Sequence, residues 1–424
     1  MLYLSKAVFT EPESGQIMSG NHLMVVQGGG PTQVLNATLA AVVDEARRTR
    51  AFDRIMGACS GTRGLVEGAF ADLNRLTESE LDLLRVTPGA ALGSSRFRPS
   101  DEDMRRILES LRNLGVKSVL FIGGDGTMQG AGRILRYCNE SGYEIQVIGI
   151  PKTIDNDVAR TDRCPGYASA ARFIAQSTRD LGMDVRSLPQ PVTILETMGR
   201  SVGWIAASAA AGKESDEDAP HVVCVPEVAF DFDGFVGVID GAVAKRGWAV
   251  AVVSEGLRDQ AGRPVYQKTD PVQADSLNRP LTGGVGQYLA DEVAARLGIR
   301  CRCEKPGLLG RASMLHVSQR DLEDADLVGR AGVQGLLSGR NGEMVSLLPL
   351  DKDQDAQYEF VRFEDVAGIE RAIPSAWLGS GADAIPARSG FFDYVRPLMG
   401  ELKRYHPPLI SDVRFRGVVD HAKR

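Results

Sequence analysis

The 424-residue sequence predicts an α/β protein whose parallel β-sheets are covered by helices. Short β-branched runs alternate with segments whose apolar residues recur at helical spacing, as Met104, Ile107, Leu108 and Leu111 do. Many of the predicted strands end at a glycine-containing or polar turn. Because the carboxyl ends of parallel strands share one edge of a sheet, we expect these turns to meet where such sheets bind ligands.

The predicted elements follow one another without an internal repeat or a low-complexity linker. The pattern predicts strands at residues 23–27, 55–58, 118–122, 145–150, 192–195, 222–225, 250–253, 299–304 and about 344–347. It predicts helices at residues 36–48, 101–114, 129–141, 283–297 (capped by Thr282) and about 321–337, and a buried Ala-rich helix at 203–212. A chain of this length can hold two domains, and we place their boundary near Pro165.

Composition and charge exclude several classes of protein. Apolar residues make up 43% of the chain, and a net charge of −6 gives no general attraction to nucleic acid or to anionic membranes. Residues 1–18 lack an apolar signal core, and no apolar stretch approaches the ~18 residues that a membrane span needs. The six cysteines form no Cys-x2-Cys pair. We therefore expect a cytoplasmic protein with free thiols that binds neither nucleic acid nor membrane.

Two glycine-rich turns are candidate phosphate sites. Gly-Gly-Gly-Pro-Thr at 28–32 follows a strand, and its backbone N–H groups can approach a phosphate, although a plain tight turn is the alternative. Gly-Gly-Asp-Gly-Thr at 123–127 follows another strand and precedes a helix, so that Asp125 can hold Mg²⁺ against phosphate charge. For Asp125 the alternative is a simple helix cap.

A third turn, Pro-Lys-Thr-Ile-Asp-Asn-Asp at 151–157, carries two carboxylates two residues apart. Like charges at this spacing raise the pKa of one carboxyl group unless a cation or a bonded hydroxyl relieves them. A general base beside a metal site requires such a raised pKa, whereas a cap-and-turn cluster is the alternative interpretation. The third turn therefore predicts general-base chemistry next to the Asp125 turn.

Together these turns resemble the phosphofructokinase family, which also has counterparts to residues 93–97, 196–200 and 254–256 and to Arg302 and Arg311 in this order and spacing. The resemblance covers residues 23–347. It implies two Rossmann-like three-layer α/β/α domains of the phosphofructokinase type. Residues 1–165 with about 312–370 would bind the phosphoryl donor, and residues 166–311 with about 371–424 would bind the sugar phosphate.

The resemblance also implies a role for each matching residue in phosphoryl transfer. Asp155 would take the proton of the sugar 1-hydroxyl, supported by Thr153 and Asp157, while Arg96 would neutralise the phosphoryl group in flight. Asp125 would be the Mg²⁺ ligand. The donor-binding residues would be Gly29, Gly30, Arg96, Phe97, Gly124, Asp125, Gly126, Thr127, Gly130 and Lys152. The substrate-binding residues would be Thr153, Asp155, Met198, Gly199, Arg200, Glu255, Arg302 and Arg311.

The phosphoryl donor in this family is ATP or pyrophosphate, and the residues of the turns disagree about it. Gly126 stands where pyrophosphate enzymes usually carry Asp, Gly130 also leaves room, and Phe97 can stack on adenine, all of which favour ATP. Lys152 matches the pyrophosphate enzymes, although ATP enzymes of the trypanosomal and plant types also combine Gly and Lys as this chain does. Cys59 replaces a Tyr that short bacterial ATP enzymes carry. The sequence thus predicts transfer from Mg-ATP to the 1-hydroxyl of fructose 6-phosphate, as in glycolysis, with pyrophosphate as the alternative donor.

The sugar and the assembly are further expectations from the resemblance. Pro191 and Leu308 replace an Arg and a His of the sugar-phosphate site, which leaves another sugar or sugar phosphate open as the substrate. An Arg at the position of Arg302 often comes from a neighbouring subunit, which implies a homodimer or homotetramer. A NAD or lipid-type kinase and a non-catalytic sugar-phosphate-binding subunit are rival interpretations, and residues 354–424 carry no assignable motif.

Overall fold

Alternating buried strands and amphipathic helices build two β-sheets in this computed structural model, which describes residues 20–187, 192–267, 283–350 and 356–406. The strands are β1 His22–Gln27, β2 Arg54–Ala58, β3 Phe70–Asp72, β4 Val116–Gly123, β5 Gln146–Pro151, β6 Val192–Thr197, β7 Val222–Cys224, β8 Ala249–Ser254, β9 Cys301–Glu304, β10 Glu343–Leu347 and β11 Tyr358–Arg362. The α-helices are α1 Leu35–Thr49, α2 Thr62–Glu67, α3 Glu78–Arg85, α4 Asp101–Asn113, α5 Asp125–Glu140, α6 Tyr167–Val185, α7 Trp204–Ser208, α8 Phe232–Arg246, α9 Val285–Leu297, α10 Leu309–Ala312, α11 Gln319–Leu337 and α12 Phe391–Met399. Thr282 and Pro191 lie outside the described residues.

The first sheet has the order β11-β10-β5-β4-β1-β2-β3, with parallel pairing except at its two antiparallel edge strands, β3 and β11. Alternate side chains of β1 face opposite sides: Leu23 and Val25 pack with α1 and α11, and Met24 and Val26 pack with α4 and α5. Helices therefore cover both faces of this sheet. Gln27 pairs with Ile122 of β4, so the first two glycine turns emerge side by side.

The second sheet has the order β7-β8-β6-β9 and is parallel throughout. One face packs against α8 and α9, and the other packs against α6, α7 and α12. The predicted fold class, two three-layer α/β/α units, is confirmed. Strands β10 and β11 join the first sheet although they follow the second sheet along the chain. The exact domain boundaries given above stay a prediction.

Several element boundaries differ from the prediction. Helix α5 begins at Asp125 rather than at residue 129, because Gly124 is its N-cap, and Asp125, Gly126 and Gly130 are thus helical residues. The segment predicted as one helix at 203–212 is the short helix α7 followed by a 3₁₀ turn, Ala209–Gly212, all of it buried. The sequence pattern did not predict helices α2, α3, α6, α8, α10 and α12 or strands β3 and β11. Within the described ranges, no helix combines the length and apolarity that a membrane span requires.

Candidate active site

A cleft of about 350 Å³ lies at the carboxyl ends of β1, β4 and β5 of the first sheet and of β6 and β8 of the second. The structure brings most of the predicted site residues to its walls: Gly29, Gly30, Arg96, Phe97, Gly124, Asp125, Gly126, Thr127, Gly130, Lys152, Thr153, Asp155, Asp157, Met198, Arg200, Glu255 and Arg311. Gly199 and Arg302 do not line this cleft. Arg302 is instead exposed on β9.

The glycines of the first two turns serve different purposes. A β-carbon on Gly28 or on Gly123 would collide with the side chain of Thr127, so these two glycines make room for that threonine. A β-carbon on Gly29 would lie 3.3 Å from Lys152 Nζ, and one on Gly30 would lie 2.9 Å from an Arg311 guanidinium nitrogen. Two cations thus approach the backbone of the first turn. This arrangement can attract a phosphate group.

Gly126 and Gly130 have no atom within 4 Å of the position that a β-carbon would take. Both residues lie in the first two turns of α5 and line the cleft. Neither glycine is needed for packing within the chain. The cleft is therefore open at both positions.

Lys152 is a buried cation at the floor of the cleft, with 2% of its surface exposed. Its ammonium donates a hydrogen bond to the carbonyl oxygen of Gly30 at 2.5 Å. Burial lowers the pKa of Lys152 to about 8, and the nearby carboxylate of Asp157 opposes that shift. At neutral pH Lys152 remains predominantly protonated and can bind an anion.

The two carboxylates of the third turn differ in their hydrogen bonding. Burial raises the pKa of Asp155 to about 7, with further contributions from Asp157 and Glu255, and Lys152 partly opposes the shift. Asp155 Oδ1 is buried and has no hydrogen-bond partner. Burial also raises the pKa of Asp157, while a hydrogen bond from Thr153 lowers it. Asp155 therefore has the free oxygen and the pKa that a general base at neutral pH needs.

Asp125 is held from two sides. Gln129 Nε2 donates to Asp125 Oδ2 at 2.8 Å, and the backbone N–H of Gly368 donates to Asp125 Oδ1 at 2.6 Å. Among the described residues, no three His, Cys, Asp or Glu side chains converge as a complete metal site. Mg²⁺ commonly takes one or two carboxylates and completes its octahedron with phosphate oxygens and water. The carboxylates of Asp125 and Asp157 therefore fit Mg²⁺ that arrives with a phosphoryl donor.

Arginine and glutamate side chains also line the cleft, among them Arg96, Arg200, Arg311 and Glu255. The pKa of Arg311 is lowered by burial and by the charge of Arg96, and Asp155 opposes this shift, so the three groups are electrostatic neighbours. The turn that carries Arg200 packs tightly on Gly256, where a β-carbon would collide with the Arg200 carbonyl oxygen. Gly199 has φ +127° and accepts a hydrogen bond from Ser254 through its carbonyl. Gly199 therefore shapes the turn without contacting the cleft.

A family model described as phosphofructokinase matches residues 22–323. The chain belongs to the phosphofructokinase family. It is 33% identical to a pyrophosphate–fructose 6-phosphate 1-phosphotransferase of Xanthomonas campestris, with 93% of this chain and 92% of the relative covered. It is 32% identical to a sulfofructose kinase of Alkalicoccus urumqiensis, covering 83% and 90% respectively. A pyrophosphate-dependent phosphofructokinase structure from Nitrosospira multiformis matches with a TM-score of 0.81 and 28% identity, covering 94% and 97%.

The predicted family is thus confirmed, and the chain is a kinase-type phosphotransferase. The family match does not extend to the last hundred residues, where the structure places three residues that sequence reasoning missed. Glu370 lines the cleft and raises the pKa of Asp157 by its charge. The backbone N–H of Arg371 donates to the carbonyl of Asp157, and Tyr394 accepts a hydrogen bond from Asn156. No local sequence signal marks these residues, because their partners lie more than 200 positions earlier.

Proposed function

We propose that this phosphofructokinase transfers a phosphoryl group from Mg-pyrophosphate to the 1-hydroxyl of fructose 6-phosphate. The observation that carries the transfer itself is Asp155, a buried carboxyl group with an unpartnered oxygen and a pKa raised to about 7. The sequence predicted ATP as the donor. We propose pyrophosphate instead, because several relatives that align over most of the chain are named pyrophosphate–fructose 6-phosphate 1-phosphotransferase.

In the proposed reaction, Asp155 Oδ1 accepts the proton of the sugar 1-hydroxyl as that oxygen bonds to the transferred phosphorus. The phosphorus–oxygen bond to the departing phosphate breaks, and its electron pair leaves with that phosphate. Arg96 and Arg311 lie next to Asp155 and stabilise the charge on the phosphoryl group in flight. Mg²⁺ bound with the donor by Asp125 and Asp157 would neutralise donor charge.

Lys152 supports pyrophosphate as the donor. Pyrophosphate lacks a base and a ribose, so its binding depends on cations that contact phosphate oxygens. The buried ammonium of Lys152, a residue of the third turn, reaches the backbone of the first turn and lies near Arg311. In this position it can contact a phosphate oxygen. One face of Phe97, the ring predicted to stack on adenine, has the Arg63 guanidinium 5.6 Å from its centroid. This arrangement leaves that face less available to a nucleotide base.

ATP is the second candidate donor, because one specific observation favours it. A β-carbon at Gly126 or at Gly130 would have no neighbour within 4 Å, so the space beyond the transferred phosphates is open. An α-phosphate could occupy this space without moving a side chain. The two donors therefore need to be compared directly.

The sugar is the second open choice. Leu308, at the position of the family's histidine, is 64% exposed and does not line the cleft, and Pro191 lies outside the described residues. The relative named sulfofructose kinase makes sulfofructose the alternative acceptor. Both acceptors carry an anionic group, which Arg200 and Arg311 can bind.

The deciding experiment measures transfer from Mg-pyrophosphate and from Mg-ATP to both acceptors, with Asp155→Asn as the inactive control. We expect kcat/KM for pyrophosphate and fructose 6-phosphate to exceed each other combination at least tenfold. Activity with ATP alone would refute pyrophosphate as the donor. Activity with sulfofructose alone would refute fructose 6-phosphate as the acceptor. We also propose that the protein is cytoplasmic and forms a homodimer or homotetramer. Light scattering of the purified protein tests the oligomeric state.

A further inference from the structure

Asn156, between the two carboxylates of the third turn, is fully buried and has φ +55°. This left-handed conformation is unfavourable for most residues and is tolerated by asparagine. The Asn156 side chain is fixed at both ends: Nδ2 donates to the Tyr394 hydroxyl at 2.8 Å, and Oδ1 accepts from the Cys164 backbone N–H at 3.0 Å. The backbone direction at Asn156 sets where Asp155 and Asp157 point.

Arg371 binds the same turn through its main chain and its side chain. Its backbone N–H donates to the carbonyl of Asp157 at 2.8 Å, and its Nη1 donates to the carbonyl of Asn156 at 3.3 Å. The preceding residue, Glu370, forms an antiparallel bridge with Val158. Two successive carbonyl groups of the catalytic turn thus accept hydrogen bonds from one residue far along the chain.

The Arg371 guanidinium is itself held in place. Its central carbon lies 4.2 Å from the ring centroid of Trp204 and 5.5 Å from that of Tyr394. The indole N–H of Trp204, a fully buried residue, donates to the Arg371 carbonyl at 2.9 Å. The Tyr394 hydroxyl donates to the carbonyl of Asp162 at 2.8 Å. The aromatic core of the second unit therefore fixes Arg371 against the turn.

We propose that Arg371 and Tyr394 are positioning residues for phosphoryl transfer, which hold Asn156 in its left-handed conformation and so aim the free oxygen of Asp155 at the acceptor hydroxyl. Neither residue lines the cleft, so neither contacts the substrates. A displacement of about 1 Å in a reacting group can lower turnover about 100-fold. This inference rests on the proposed function, in which Asp155 is the general base.

The test compares Arg371→Ala, Arg371→Lys and Tyr394→Phe with Arg388→Ala, a change at an exposed arginine of the same C-terminal part. We expect Arg371→Ala to lower kcat about 100-fold and Tyr394→Phe about tenfold, with both KM values within threefold of wild type. Arg371→Lys, which retains a cation that can donate to the Asn156 carbonyl, should recover part of the loss. Arg388→Ala should match wild type.

A further measurement separates positioning from a purely structural role. A crystal structure of Arg371→Ala should show a changed φ at Asn156. Unchanged kcat in folded Arg371→Ala and Tyr394→Phe, or an unaltered turn in that crystal structure, would overturn the inference. Wild-type protein without phosphotransferase activity would instead refute the proposed function, and the crystal structure would still test the turn.

Discussion

Lys152 donates a hydrogen bond from its buried ammonium to the carbonyl oxygen of Gly30, with 2.5 Å between nitrogen and oxygen. Gly29 has a left-handed backbone conformation, φ +73°. A β-carbon on Gly29 would lie 3.3 Å from the Lys152 ammonium nitrogen, so the glycine lets the first turn approach this cation closely. Two turns whose bonded residues are 122 positions apart in sequence therefore form one floor of the cleft, which we propose binds phosphate. Removal of the lysine is the most direct test of the proposed donor.

We expect Lys152→Met to lower kcat/KM for pyrophosphate about 100-fold, because a hydrogen bond to a charged group contributes about 1.5–3 kcal/mol. The KM for fructose 6-phosphate should stay within threefold of wild type. Steady-state kinetics measure both quantities, with Lys403→Met at an exposed position as the control. In the wild-type enzyme, kcat/KM for pyrophosphate should also decline above about pH 8, where Lys152 loses its proton. Full pyrophosphate activity in Lys152→Met would contradict this role.

The raised pKa of Asp155 predicts opposite pH effects on activity and stability. A general base must be ionised, so kcat should rise with pH through about 7, the pKa of Asp155. The folded state binds this proton more tightly than the unfolded chain, so its contribution to stability is lost as pH rises toward and through that pKa.

The isosteric variant Asp155→Asn separates these two effects. Its kcat should fall by about three orders of magnitude while acceptor binding, measured by calorimetry, changes little. Its Tm should exceed that of wild type by about 2–6 °C at pH 8 and by less at pH 5, because the buried charge has been removed. A Tm gain that is independent of pH would mean that Asp155 is not titrating in this range.

The sequence predicts this structure well where the signal is local and poorly where it is not. The buried apolar runs of β1 and β4 end at glycine and that of β5 ends at Pro151, and these local signals are sufficient to place the three turns at one sheet edge. The start of α5 was misplaced because Gly124, rather than a polar side chain, caps it. The contacts of Gly368 with Asp125 and of Arg371 with Asp157 depend on tertiary packing, and no spacing along the chain reveals them.

The open space at Gly126 predicts a change of donor selectivity on substitution. A β-carbon there would meet no atom within 4 Å, so Gly126→Asp should fold without strain and place a carboxylate beyond the transferred phosphates. We expect kcat/KM for ATP to fall at least tenfold through charge repulsion, while the value for pyrophosphate changes less than threefold. Gly130→Ala, at an equally open position of α5, is the uncharged control. Equal losses with both donors would disprove that the open space at Gly126 determines which donor binds.

Arg302 allows a test of whether the active site is shared between subunits. It is exposed on β9 and does not line the cleft of its own chain, so we expect Arg302 to bind the sugar phosphate of a neighbouring copy. We expect Arg302→Ala and Asp155→Asn each to be nearly inactive alone. In a hybrid dimer, the subunit that retains Asp155 receives Arg302 from its partner, so one of the two sites is complete.

Random exchange of equal amounts of the two variants makes about half of the dimers hybrid, which restores about a quarter of wild-type activity. The measurement is activity after the mixed variants have been dissociated and reassociated, and each variant treated alone is the control. Arg302→Ala that is fully active by itself would show that this arginine does not bind substrate. An inactive Arg302→Ala that Asp155→Asn fails to rescue in demonstrated hybrids would place Arg302 in the site of its own subunit, reached by a movement of β9 or of the turn that follows it.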